Sequence, residues 1–242
     1  MAEDAKKRSS GWGPYWYPML AFLLLVEIGA RAPEVLQPLF LTLKVAAPLG
    51  FFTYFWLRGA YPELRGARWG ALAVADIVVG LVGAGLWMVP LVAWDSLRPE
   101  DAGFDRFQLG EAGVAVTLAI RGVGYFGVTP FVEELFVRSW LMRFVEVFDR
   151  KGDFRKVPIA KFGWRSFIVV MIYFVFSHVS WEWGIMFGWS LLTMLWFYYR
   201  KHLAPLVLVH AVTNGAIFFF VLLFDEQFTD SAGEAISLWF FL

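Results

Sequence analysis

The chain has no cysteine in its 242 residues, which excludes disulfides, thiolate nucleophiles and cysteine-based metal sites. Charge is scarce as well: Asp, Glu, Lys and Arg make up 17% of the sequence, against about 25% in an ordinary soluble domain. The two signs balance to a formal net charge of zero, so no basic excess points to a nucleic-acid partner. Histidine occurs three times. Neither His-Glu-x-x-His nor Gly-x-Ser-x-Gly is present, which removes the common signatures of a helical zinc site and of a serine nucleophile turn. No internal repeat, low-complexity tract or linker divides the chain, and no small-residue cleavage pattern follows the first apolar run. Residues 1–242 therefore read as a single domain with a retained first span.

What the chain has in excess is apolar surface. It is 59% hydrophobic and 19% aromatic, well above the roughly 45–50% apolar share of soluble domains, and this predicts an all-α, polytopic helical membrane protein. Apolar segments at about 15–30, 35–57, 69–94, 112–148, 166–180, 184–199 and 203–224 predict about seven transmembrane helices, within a range of six to eight. The fourth is long for one span. Gly122, Gly124, Gly127 and Pro130 predict a shallow or broken helix at its start, leading into a second half that bears two glutamates. The organisation expected is a leader at 1–13, three accessory spans in 15–94, a core at 112–224, and an acidic connector with a short interfacial tail at 225–242.

The connectors carry the orientation. Lys6, Lys7 and Arg8 mark the leader, Arg58, Arg65 and Arg68 the second connector, and Arg200, Lys201 and His202 a basic turn. Residues 149–165 hold six bases against two acids, whereas 95–111 hold five acids against two bases and 225–234 hold four acids and no base. By the positive-inside bias the amino terminus and the basic connectors are cytoplasmic, and the acidic ones face away.

Within the apolar segments a few polar residues need a reason to be there. Glu133 and Glu134 sit together in Thr129-Pro130-Phe131-Val132-Glu133-Glu134-Leu135-Phe136-Val137-Arg138. A charge near a membrane helix centre costs about 2.5–3.5 kcal/mol on insertion scales, so such residues mark a bundle interior or a wet cavity. Glu134 and Arg138 are four apart and pair on one helical face, whereas Glu133 points about 100° away and lacks that cation. A freer carboxylate in a partly apolar site suits the abstraction of a proton from water. The same residues also fit the aqueous end of an interfacial helix, with Arg138 and Arg143 as snorkelling partners. His178 and His210 are read as lying inside apolar helices. His210 and Asn214, four apart, share a face and offer donors to a developing oxyanion, while interhelical packing is the plainer role for either histidine. His202 reads as a solvated loop residue.

Glu133-Glu134-x-x-x-Arg138, Phe174-x-x-x-His178 and His210-x-x-x-Asn214, in this order on successive segments, resemble the three motifs of the CPBP family of intramembrane proteases. That family includes the type II CAAX prenyl endopeptidases and bacterial Abi-type relatives, and the resemblance covers about 113–224. It implies a glutamate-type endopeptidase in which Glu133 is the base, assisted by His178, with His210 and Asn214 at the oxyanion and Glu134, Arg138 and Phe174 supporting the site. It implies no cofactor, and no zinc is assigned. The substrate implied is a membrane protein or lipidated peptide met in the lipid bilayer. Residues 156–162, Trp181 and Leu238-Trp239-Phe240-Phe241 resemble the CAAX-protease-related proteins found with bacterial exosortase systems, which implies a sorting-system partner and a bacterial inner membrane. Two other readings stay open: a proton-coupled transporter with a relay through Glu27, Lys44, Asp76, Glu133 and the histidines, and a non-catalytic membrane scaffold. Aspartyl chemistry needs two carboxylates from two helices, and Asp76 is the lone aspartate within a predicted span.

Overall fold

The computed structural model describes residues 11–100 and 103–242, so the leader cations Lys6, Lys7 and Arg8, and Asp101 of the acidic connector, lie outside the described residues. Among the described residues seven long helices follow one another: α1 Gly13–Ala30, α2 Glu34–Leu57, α3 Leu72–Ala93, α4 Glu111–Val145, α5 Trp164–Phe176, α6 Trp183–Arg200 and α7 Leu203–Phe224. Each coincides with one predicted apolar segment. Among the described residues there is no strand, and Thr229 and Ala235 form an isolated bridge. By length and composition α2, α3, α4 and α7 suffice to cross a membrane, while α5 is a shorter apolar helix of 13 residues. At 1.5 Å per residue α5 is about 20 Å long, less than a ~30 Å hydrocarbon core.

Helix α4 departs from the predicted break. It runs on through Gly122, Gly124, Gly127 and Pro130, and takes up the irregularity as two π-helical stretches, Val123–Val128 and Leu135–Leu141. The cause of the first is local. Pro130 has no N–H and its ring collides with the carbonyl four residues back in a regular helix, and widening the turn by a residue relieves this while keeping the axis continuous.

Helix α7 lies in the middle, packed against α3 and α4. Gly80 permits the approach, since a Cβ there would stand 2.7 Å from the Val212 side chain and 2.8 Å from the Val209 carbonyl. Thr213 Oγ1–H donates to the Gly80 carbonyl at 2.9 Å.

Two buried polar ties fix the basic end. Asp76 of α3 accepts from Trp196 Nε1 at 2.8 Å and from Arg200 Nε and Nη2 at 2.9 and 3.0 Å, joining α3 to α6. Glu63 accepts from Tyr15 at 2.8 Å and from Ser139, and pairs with Arg143 at 3.3 Å, joining the second connector to α1 and α4. Arg143, a snorkelling partner only in the interfacial alternative, is thus a buried partner. His202 is also more than a solvated loop residue: its Nδ1 accepts from Ala204 N–H at the start of α7, and its Nε2–H donates to the Arg65 carbonyl at 2.9 Å.

The tail at 225–242 folds back over the other end. Asp225 accepts from Leu238 N–H at 2.8 Å and from Trp239 Nε1–H at 2.6 Å, and Arg106 stands 3.4 Å from it. Trp239 and Phe241 are buried, whereas the sequence predicts an interfacial segment. Breaking a buried ion pair strands its partner, at about 3–5 kcal/mol. Asp76→Ala is therefore expected to destabilise the fold by that amount, read as a lowered thermal midpoint in detergent.

Candidate active site

The first motif is organised by Arg138. Its side chain is wholly buried; Nη1 lies 3.4 Å from each carboxylate oxygen of Glu134, Nη2–H donates to Thr193 Oγ1 of α6 at 3.0 Å, and the guanidinium carbon stands 3.6 Å above the Phe174 ring of α5. The ring face supplies a cation–π partner on the side where no carboxylate is available. Phe174 is thus a support for the arginine.

Glu134, fully buried, is shared. His210 Nδ1 lies 2.9 Å from Glu134 Oε1, so Nδ1–H donates to the carboxylate and leaves Nε2 as the ring nitrogen facing no protein partner among the described residues. Trp189 closes on the same imidazole edge-on, with 4.8 Å between ring centroids. Arg138, Glu134 and His210 thereby link α4, α5, α6 and α7 around one buried charge network.

His178 differs from its predicted position. It lies two residues beyond the end of α5 and not inside a helix, because side chains take over the last turn. Ser177 Oγ–H donates to the Phe174 carbonyl at 3.2 Å, and His178 Nδ1 lies 2.8 Å from the same oxygen. A carbonyl only accepts, so Nδ1 carries the proton and Nε2 holds the lone pair. Ser177 Oγ, 3.3 Å from that Nδ1, therefore has no base there, which removes a serine nucleophile at this pair.

Asn214 is held by a consequence of Pro130. Thr129 N–H reaches back five residues to the Gly124 carbonyl, and the residue that would serve the Tyr125 carbonyl in the same π-pattern is Pro130, which has no N–H. That orphaned acceptor takes Asn214 Nδ2–H at 2.8 Å. One amide hydrogen of Asn214 is left over.

These side chains meet in one place. Glu133, His178, His210 and Asn214 all line a cavity of about 1040 Å³, large enough for a peptide segment. Glu133 is partly exposed and has neither an ion pair nor a hydrogen bond among the described residues. Glu134 and Arg138 lie behind the wall. Among the described residues no three His, Cys, Asp or Glu side chains converge to hold a metal ion.

The cavity also holds groups that the motif pattern passes over. Glu182, in the turn between α5 and α6, lines it, and burial pushes its carboxyl up from 4.5 to about 7. Lys44, Arg121, Tyr125 and the folded-back Phe240 and Phe241 line it as well. Position five residues before Pro130 is the one sequence signal that finds Tyr125; nothing local marks Glu182.

Residues 115–216 match the family described as type II CAAX prenyl endopeptidase Rce1-like. This stretch, under half of the chain, is similar to the CAAX protease (CPBP) family. All seven residues of the three motifs fall within the matched stretch. No curated protein and no solved structure matches the chain. The matched family is one of endopeptidases, which supports a hydrolase, and the apolar helices support an integral membrane protein.

A carboxyl raised from 4.5 to about 7 favours the folded state fully below pH 4.5, and that contribution is lost as pH rises through 7. Glu182→Gln is expected to flatten the stability profile across this window and to be the more stable form above pH 7, by about 2–3 kcal/mol. Thermal midpoints of both proteins between pH 4 and 8 measure this.

Proposed function

We propose that the chain is an intramembrane endopeptidase of the glutamate type, with residues 112–224 as its catalytic core. The observation that carries this reading is the convergence of Glu133, His178, His210 and Asn214 on one cavity, with Glu133 alone among the described cavity-wall motif residues in having no protein partner. Glu133 takes a proton from a water as its oxygen adds to the peptide carbonyl, and returns it to the departing amine. His178 assists through Nε2, which its Nδ1–H bond to Phe174 leaves as an acceptor for the same water. The oxyanion is met by the second Asn214 hydrogen and by His210, whose ring Glu134 orients through Nδ1–H.

Acids line the cavity on the side of the connector 95–111. Glu34, Asp105 and Glu182 line it there, while the basic connectors 58–71, 149–165 and 200–202 lie at the far end. The positive-inside bias supports an orientation with this acidic side on the non-cytoplasmic face and the amino terminus inside. That orientation fits processing or sorting of bacterial envelope proteins at the inner membrane, with a membrane protein or lipidated peptide as substrate and a sorting-system partner. A transporter relay finds little support: Glu27 is paired with Arg31 on the exposed surface, and Asp76 is consumed by Arg200 outside the cavity wall.

Membranes carrying wild type or Glu133→Gln, challenged with tail-anchored and sorting-signal substrates and read by mass spectrometry with a chelator control, test the reaction. A product formed by wild type, insensitive to chelator and reduced at least about a hundredfold in the variant, with unchanged thermal midpoint, is the expected result. Retained cleavage by Glu133→Gln overturns the assignment of the base. His202→Ala is expected to cleave normally while losing about 1 kcal/mol of stability with its cap. Because the chain has no cysteine, Ser231→Cys and Lys151→Cys report the orientation: an impermeant maleimide added to intact cells should modify the first and spare the second.

A further inference from the structure

Lys44 of α2 and Arg121 of α4 face the same cavity as Glu133. Each stands ten residues into its helix, which puts both about 15 Å below the acidic rim, at a common level. The two helices pack together, and Lys44 lies within electrostatic range of Arg121. Neither cation has an ion pair among the described residues. Lys44 has no hydrogen bond either. The Arg121 guanidinium stands 5.2 Å from the Phe104 ring and 5.2 Å from the Tyr125 ring, and its Nε is buried with no hydrogen-bond partner. None of the cavity carboxylates, Glu34, Asp105, Glu133 and Glu182, pairs with them.

Cations shut inside the protein behave differently from these two partly exposed ones. Arg138, Arg143 and Arg200 each hold a carboxylate, as the cost of an isolated charge at depth requires. Two like charges left without one line the cavity instead, within reach of an anion supplied from outside.

We propose that Lys44 and Arg121 form a carboxylate-binding subsite that anchors the peptide substrate, taking either its terminal carboxylate or an Asp or Glu side chain. The assignment rests on the reading of this cavity as a peptidase site. A peptide fits better than a lipid phosphate, because the pair lies well below headgroup level and shares a wall with the proposed base. From Arg121 to Glu133 the helix advances about 18 Å, on the order of five extended residues. The anchored carboxylate therefore falls within about five residues of the scissile bond. Arg121 suits this role by presenting its donors in a fork, and Lys44 adds a point charge.

The test is binding to the full Glu133→Gln chain in phosphatidylcholine nanodiscs, read by energy transfer from the protein's tryptophans, of which Trp87, Trp181 and Trp189 line the cavity. The probes are a dansylated apolar heptapeptide with a free carboxyl terminus, its terminal amide, and the amide carrying one internal Glu. The free acid is expected to bind roughly tenfold tighter than the plain amide; recovery by the internal Glu identifies a side chain as a sufficient source, and its failure assigns the site to the terminus. In Lys44→Gln/Arg121→Gln the advantage should vanish, amide affinity should hold, and the thermal midpoint of the empty protein should stay level or rise, because unpaired charges have been removed. Equal affinity for acid and amide overturns the proposal, as does an advantage that survives the double variant or a midpoint that falls in it. Competition and stabilisation by phosphatidylglycerol in wild type, lost in the double variant, would overturn it in favour of a lipid headgroup. Since no turnover is required, acid-selective binding without cleavage by wild type would sink the peptidase reading and leave the subsite standing.

Discussion

A guanidinium shut away from water has to find its counter-charge in protein, and Arg138 finds Glu134 four residues back on its own helix. The same cation rests on the Phe174 ring of α5 and donates to Thr193 of α6, while its carboxylate reaches across to His210 of α7. Four helices are thus registered by one charge. Removing it would leave the buried Glu134 carboxylate without its cation, so the network depends on this pair in a way that no single apolar contact can replace.

The second constraint is a missing hydrogen. Pro130 cannot donate, α4 widens into a π-helical stretch, and the Tyr125 carbonyl left over is the acceptor that orients Asn214. A residue on α7 is positioned by a defect on α4. The defect is tolerated because the side chain of Asn214 restores the lost hydrogen bond at the cavity wall, where a regular helix would have had nothing to offer it.

Much of this was legible in the sequence. The apolar segments predicted seven helices, and spacings of four residues put Glu134 with Arg138 and His210 with Asn214, because both relations are set by helical geometry alone. Three things were not. An extra residue in a turn leaves apolar periodicity nearly unchanged, so α4 read as broken. The stop of α5 before His178 comes from Ser177 and His178 bonding one carbonyl, a competition that hydropathy does not register. Partners far apart in sequence, Glu63 with Arg143 and Asp76 with Arg200, carry no local mark, and Asp225, which draws the tail over the cavity, read as one acid among four in a connector.

The buried pairs also differ in how long each must wait during synthesis. Glu134 and Arg138 leave the ribosome together, so α4 can enter the bilayer carrying its own counter-ion. Asp76 is made 124 residues before Arg200, an interval on the order of ten seconds at ordinary elongation rates. Through that interval α3 holds an acid with no base to meet it. Its final seat is settled only when α6 arrives, which makes the docking of α6 a late, committing step in the biogenesis of the bundle.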